Sequence, residues 1–344
     1  MLQTFTRRVG FVGSLLVAAA SAVAQTQIKI DGSSTVFPIT AAIAEEFGQA
    51  AKNVQVTVGE SGTSGGFKKF LRKEIDICDA SRPITAKEME EAKAAGIEYI
   101  ELPVAFDALT VVIHKDNKFI TELTIADLKK IWAPESKVTK WNEVRPEWPA
   151  EKIGLFGAGS ASGTFDYFTE AVNGKSKASR TDYTGSEDDN VLVQGVSKDK
   201  NSLGYFGYAY YASNMDKLKA VPIVNKAGKA TLPSTESVKD GSYNPFARPI
   251  FIYINKASLA RPEVKKFAEF YLTKAGDIAT EVKYVALPSD AYQKCLERLN
   301  KQSTGTAFGG HNEAGVAIDT LLSRPLVQEP AAKKTEEAKP AEKK

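Results

Sequence analysis

The sequence predicts an α/β protein of two lobes, each a mainly parallel sheet flanked by helices, with two crossing strands between them. Three observations carry this. Apolar runs of strand length alternate with amphipathic stretches of helical length almost throughout. Three of these alternations share one design, in which a short strand runs through a cluster of Ser, Thr and Gly straight into a helix. Two strongly β-forming segments, ALTVVIH at 108–114 and PIFIYI at 249–254, lie far apart in the chain, as strands that leave one lobe and return to it would.

The elements follow from the N-terminus. Arg7 and Arg8, the apolar run 9–20 and Ala22-Val23-Ala24 are expected to form a cleavable export signal over residues 1–24; the general secretory route is favoured, with the twin-arginine route left open. Gln25 then begins the mature chain. No cysteine follows the cleavage site to take a lipid anchor, and no later apolar run is long enough to span a bilayer. Residues 25–106 and 250–330 are expected to form the first lobe, and 107–249 the second. The last stretch, 331–344, is low-complexity, charged and Pro-containing, and reads as a disordered tail. The formal charge is +3. Removing Arg7 and Arg8, then the tail with its five Lys and three Glu, leaves −1 over residues 25–330. Such a surface offers nucleic acid no basic footprint, so any anion site must rest on local dipoles and a few placed side chains.

The three turns supply such a site. Gly32-Ser33-Ser34-Thr35 precedes a helix with Pro38 in its first turn, where the missing proline N–H costs nothing. Gly62-Thr63-Ser64-Gly65-Gly66 and Gly159-Ser160-Ala161-Ser162-Gly163-Thr164 open two more helices. A helix start presents unpaired N–H groups and the positive end of the macrodipole, both of which attract an anion. Plain helix capping explains one such turn; three of them read as an oxyanion cage assembled from separate pieces. None ends in the Gly-Lys-Ser/Thr of a nucleotide-binding loop, which favours a small free oxyanion. The second turn also fits G-x-S-x-G, so a serine hydrolase using Ser64, an Asp and His311 is an alternative.

Arg82, in Ser81-Arg82-Pro83 after the strand 75–79, stands where a chain leaves a parallel sheet toward the ligand crevice, and its fork suits a tetrahedral anion. Asp79 or Asp107 is expected to accept a proton from the ligand, admitting hydrogen phosphate and repelling sulfate. The aromatic run from Tyr205 to Tyr211 reads as a strand and turn at a core edge, and Trp132, Trp141 and Trp148 as core or interface residues rather than ligand contacts. Cys78 and Cys295 leave a disulfide open, although Cys78 sits in an apolar run. With His114 and His311 the only histidines, no metal site or cofactor is expected.

The segments GSSTVFP (32–38), SGTSGGFKKF (61–70), DASRPI (79–84), FDALTVVIHKDN (106–117), LTIADLKKIWAPESKVTKWNEVRPEWP (123–149), SGTFDYF (162–168) and SLGYFGYAYY (202–211) occur in this order. With them the chain resembles the phosphate-binding proteins of bacterial phosphate ABC transporters, the PstS family, and SGTFDYFTEAVNGK with SEDDNVLVQGV resembles its cyanobacterial-type branch. The resemblance implies a type II periplasmic-binding-protein fold and a non-catalytic, monomeric periplasmic protein. It would capture inorganic phosphate and pass it to a membrane permease; a carrier of another oxyanion (sulfate, molybdate, phosphonate) is the nearest alternative. By position, Ser34, Thr35 and Phe37 would match the first binding loop, Thr63 and Ser64 the second, and Ser162, Gly163 and Thr164 the third, with Ser33, Ser81, Asp79, Asp107 and Arg180 as further candidates. Two departures stand out. Ala158 occupies a position where many members carry an arginine, which leaves Arg82, or else Arg180, to supply the guanidinium. The usual acceptor aspartate aligns near Ser81, so that role passes to Asp79 or Asp107.

Overall fold

The computed structural model describes residues 26–330 apart from 161, 187, 312 and 314. The expected export signal and charged tail lie outside the described residues. The chain begins with the predicted alternation: β1 (Thr26–Gly32), α1 (Phe37–Ala50), β2 (Val54–Val58), α2 (Thr63–Leu71), β3 (Ile77–Ala80) and α3 (Ala86–Ala94). There follow β4 (Tyr99–His114), α4 (Ile125–Trp132), β5 (Gly154–Ala158), α5 (Gly163–Asn173), β6 (Thr184–Ser186), α6 (Asp189–Lys198) and β7 (Ser202–Gly207). Then come α7 (Tyr208–Ala212), β8 (Leu218–Ala220), β9 (Ile223–Val224), β10 (Ala230–Thr231) and α8 (Thr235–Lys239). The chain returns through β11 (Ala247–Asn255) and finishes in α9 (Pro262–Glu281), α10 (Ser289–Asn300) and α11 (Ile318–Ser323).

Among the described residues, eight strands lie in the order β2-β1-β3-β11-β4-β7-β5-β6, and β8 joins β4 to make a nine-stranded sheet. Pairing is parallel in β2-β1-β3 and in β7-β5-β6. Between these groups, β11 and β4 run antiparallel to each other and to β3 and β7. β4 pairs with β11 as far as Ala108 opposite Ala247, then takes β7 as partner from Leu109 opposite Gly207. The two β-rich segments of the sequence are thus the crossing strands. β4 is longer than 108–114, because its first half carries Glu101, Pro103 and Asp107 and escapes a simple apolar pattern. Buried Glu101 is tied to the other crossing strand by the Tyr253 hydroxyl at 2.6 Å, and it also accepts from the Ala307 N–H at 3.0 Å. Burial pushes its pKa up.

Packing fixes the helices whose starts matter. In α2, a Cβ on Gly66 would lie 2.6 Å from the Gly32 Cα, so only glycine lets the helix settle this close on β1. The inner face of α5 presents Phe168, stacked on Tyr205 of β7 at 3.6 Å with Trp132 edge-on to both, contacts of about 0.5–1.5 kcal/mol per pair. Trp132, Trp141 and Trp148 are core residues as expected, while the end of the aromatic run forms the short helix α7 rather than a turn. Cys78 on β3 and Cys295 on α10 are separate buried thiols, so no disulfide links them.

Candidate ligand-binding cleft

Each hydroxyl-rich turn is held by its own local chemistry. Where β1 ends, the Ser33 N–H donates to the Asp79 carbonyl at 2.9 Å, and Ser33 Oγ accepts from the Thr35 N–H at 3.2 Å. Ser34 and Thr35 are thereby set at the opening of α1, which has Pro38 in its first turn and no side-chain cap. In the second turn Asp31 accepts from the Ser61 N–H at 3.1 Å, from the Ser61 hydroxyl and from Lys69 Nζ at 2.6 Å. Burial pushes the Asp31 pKa up, but the bonds from Lys69 and Ser61 outweigh it and hold the carboxyl below its ordinary value. Gly62 then caps α2 at φ 78°, and Thr63 Oγ1 accepts from the Ser81 N–H at 3.1 Å, tying the second turn to the chain leaving β3. In the third turn Ser162 caps α5 by accepting from the Thr164 N–H at 3.1 Å.

The three turns meet around Ser34 and Thr35. A cavity of about 290 Å³ is lined by Ser33, Ser34, Thr35, Thr63, Ser64, Ser81 and Arg82 on one side and by Tyr167, Glu170 and Arg248 on the other. An adjoining cavity of about 410 Å³ shares Ser34 and Thr35 and adds Phe37, Asp107, Ser162, Gly163 and Thr164. The third turn touches the first, since a Cβ on Gly163 would lie 2.5 Å from Thr35 Oγ1 and 3.1 Å from its backbone N.

The charged candidates divide. Arg82 lines the smaller cavity, but its guanidinium is bidentate to Glu88 at 2.9 Å and also donates to Ser64 Oγ and the Pro83 carbonyl at 3.0 Å. Arg180 is not brought to the cleft. It is bidentate to Asp182 at 2.6 and 2.8 Å and donates to the carbonyls of Ile131 and Val138, so it braces the loop after α4. Asp79 likewise turns away: its side chain is fully buried beside Thr40, whose hydroxyl is shared with Tyr271 at 2.9 Å. Neither Asp79 carboxyl oxygen closes a well-formed hydrogen bond, and burial pushes its pKa up to about 8 against the opposing pull of the Thr40 hydroxyl. Only the Asp79 backbone, through Ser33, serves the cleft. Asp107 does line the larger cavity; burial raises its pKa against the pull of Arg248. For the hydrolase alternative, Ser64 Oγ accepts from Arg82, and His311 is exposed.

Comparison with known proteins adds to this geometry. The profile of the PBP superfamily domain matches residues 17–275. Protein SphX of Synechococcus elongatus is 49% identical over 297 residues, covering 86% of this chain and 88% of that protein. The phosphate-binding protein PstS of Staphylococcus saprophyticus is 39% identical over 285 residues, 82% of this chain and 87% of that protein. The chain belongs to the PstS family. The crystal structure of a possible phosphate binding protein from Planctomyces limnophilus superposes on this PstS-family chain with a TM-score of 0.78. It is 53% identical and covers 80% of this chain and 98% of the other. The type II periplasmic-binding-protein fold follows.

Arg248, with its neighbours Tyr167 and Glu170, is among the cleft residues of this PstS-family chain that the sequence did not reveal. Arg248 stands at the head of β11 opposite Asp107 of β4, and its Cζ lies 3.6 Å over the Tyr167 ring. The signal available was a charged residue immediately before an apolar crossing strand, where a hinge would border a cleft. Among the described residues no helix is long and apolar enough to cross a membrane.

Proposed function

We propose that this chain captures inorganic phosphate between its lobes, outside the cytoplasmic membrane, and delivers it to the permease of an ABC transporter. The observation that carries the reading is the meeting of three Ser/Thr-rich helix starts around Ser34 and Thr35. Such a cradle neutralises a dianion with N–H and O–H donors and needs no basic surface. The names of the relatives support phosphate as the anion. Ser33, Ser34, Thr35, Thr63, Ser64, Ser162, Gly163 and Thr164 are assigned as the donor set, with Phe37 as an apolar wall and Ser81 and Arg82 bracing the second turn.

Asp107 is assigned as the acceptor of the ligand proton. It is the predicted aspartate that borders the cavity, and a carboxylate there rewards an anion with a proton to donate and penalises fully ionised sulfate. The lobes are assigned as 25–106 with 250–330, and 107–249; the change of β4 partner after Ala108 supports the first boundary. Export by the N-terminal signal, a monomeric state and the lack of catalysis belong to the same reading. Calorimetric titration of the ligand-stripped protein tests it: one-to-one phosphate binding that excess sulfate leaves intact is expected. Binding of sulfate in preference to phosphate would overturn it.

A further inference from the structure

Arg248 is placed and partnered unlike Arg82 and Arg180. It lines the same cavity as Ser34, Thr35 and Thr63, yet it comes from a crossing strand rather than from a loop. Its side chain is only 15% exposed, and its Nε is buried with no hydrogen-bond partner. Its two carboxylate neighbours stand off, Asp107 at 3.5 Å from Nη2 and Glu170 at 3.8 Å from Nη1. Those are ion-pair separations, longer than the ~2.7–2.9 Å of a charge-assisted hydrogen bond. Arg82 and Arg180, by contrast, each close a bidentate pair at 2.9 Å or less. An unmet buried donor is costly, and a native site sustains that cost when a ligand supplies the acceptor.

We propose that Arg248 is the charged donor to the bound oxyanion, and that Asp107 and Tyr167 position it. Tyr167 stacks under the guanidinium and fixes its plane, while its own hydroxyl donates to the Pro245 carbonyl. Asp107, opposite on β4, stands at ion-pair distance from Nη2 and Glu170 at ion-pair distance from Nη1, so the guanidinium is held in place without its donors being taken up. Tyr167 belongs to α5, downstream of the third turn, whereas Asp107 and Arg248 lie on the crossing strands. The anion that meets Arg248 therefore binds at the point where the two halves of the sheet change partners.

The assignment rests on the oxyanion reading of the cleft, and the test separates the two. Phosphate and sulfate titrations are run on wild type, Arg248→Gln and Arg248→Lys, with thermal melting of each unliganded protein. Phosphate affinity is expected to fall about 100-fold in Arg248→Gln, and about tenfold in Arg248→Lys, which keeps the charge and loses the fork. The unliganded melting temperatures should stay close to wild type. Affinity within about twofold of wild type in Arg248→Gln, or equal losses in the Gln and Lys variants, would overturn the role. If wild type prefers sulfate and Arg248→Gln loses it, the phosphate reading fails and Arg248 keeps its place; if wild type binds neither anion, both fall. Should the Gln variant not fold, the Nε–Hε signal of Arg248 in wild type, assigned by its absence from Arg248→Lys, must shift on adding phosphate. An unmoved signal refutes the assignment.

Discussion

The chain leaving β3 and the pair of crossing strands each bring one aspartate and one arginine to the neighbourhood of the cleft, and they use them in opposite ways. Asp79 and Arg82 are consumed by structure: the carboxyl is sealed in the core beside Thr40, and the guanidinium is closed on Glu88. Asp107 and Arg248 face each other across two antiparallel strands at 3.5 Å, too far apart to satisfy one another, and both border cavity. Residue type was therefore a poor guide to role. Satisfaction and access together decide it: Arg82 has its partners inside the protein, Asp79 is short of partners but sealed from both cavities, and Asp107 and Arg248 are short of partners and border them.

This contrast can be broken in four places. The largest effect belongs to Asp79. Its pKa of about 8 against an ordinary 3.8 means that the folded state keeps a proton the unfolded chain has released. Unliganded stability should thus fall as pH rises from about 4 to about 8 and level off above, by up to roughly 5 kcal/mol. Asp31, the nearby carboxylate, adds to the penalty. Asp79→Asn should flatten the dependence of melting temperature on pH, with its greatest gain at alkaline pH; the same slope in mutant and wild type would place the titration elsewhere.

Arg82→Ala comes next. Glu88 is a half-buried partner that also closes the Thr85 capping box of α3, and losing the arginine should cost roughly 2–4 kcal/mol of unfolding free energy. Phosphate affinity should drop by less than in Arg248→Gln. The reverse ranking, measured by denaturant unfolding and calorimetry together, would exchange the roles of the two arginines.

Asp107→Asn should lower the preference for phosphate over sulfate by about tenfold or more, since an amide does not repel a fully ionised anion as a carboxylate does. An unchanged selectivity ratio in competition titrations would remove Asp107 as the proton acceptor. The smallest effect is expected of Thr164→Val, about 1 kcal/mol of binding and no change in melting, because the Thr164 backbone N–H still reaches Ser162. Full affinity in that variant would take the third turn's hydroxyl out of the site.

Much of this was legible in the sequence because it is local. A strand, a turn of Ser, Thr and Gly and a helix follow one another within some twenty residues, and the chemistry of each helix start travels with its own segment. The crossing strands were legible from composition. What stayed hidden depends on distant partners. Arg248 meets Asp107, Tyr167 and Glu170, all remote in the chain. Asp79 lies on a strand buried along its whole length, so alternation gave no hint of which face it joins. Arg180 was misplaced for a nearer reason: Asp182, two residues on, claims its fork.

Arsenate has the tetrahedral shape of phosphate and a strong anomalous signal, so crystals of the ligand-stripped protein soaked in it locate the anion directly. A single arsenic peak within hydrogen-bond reach of Ser34, Thr35, Thr63 and Thr164, with Arg248 closing one side, is the expected result. A peak outside these turns, or one that touches them while Arg248 stays on Asp107 and Glu170 alone, contradicts it.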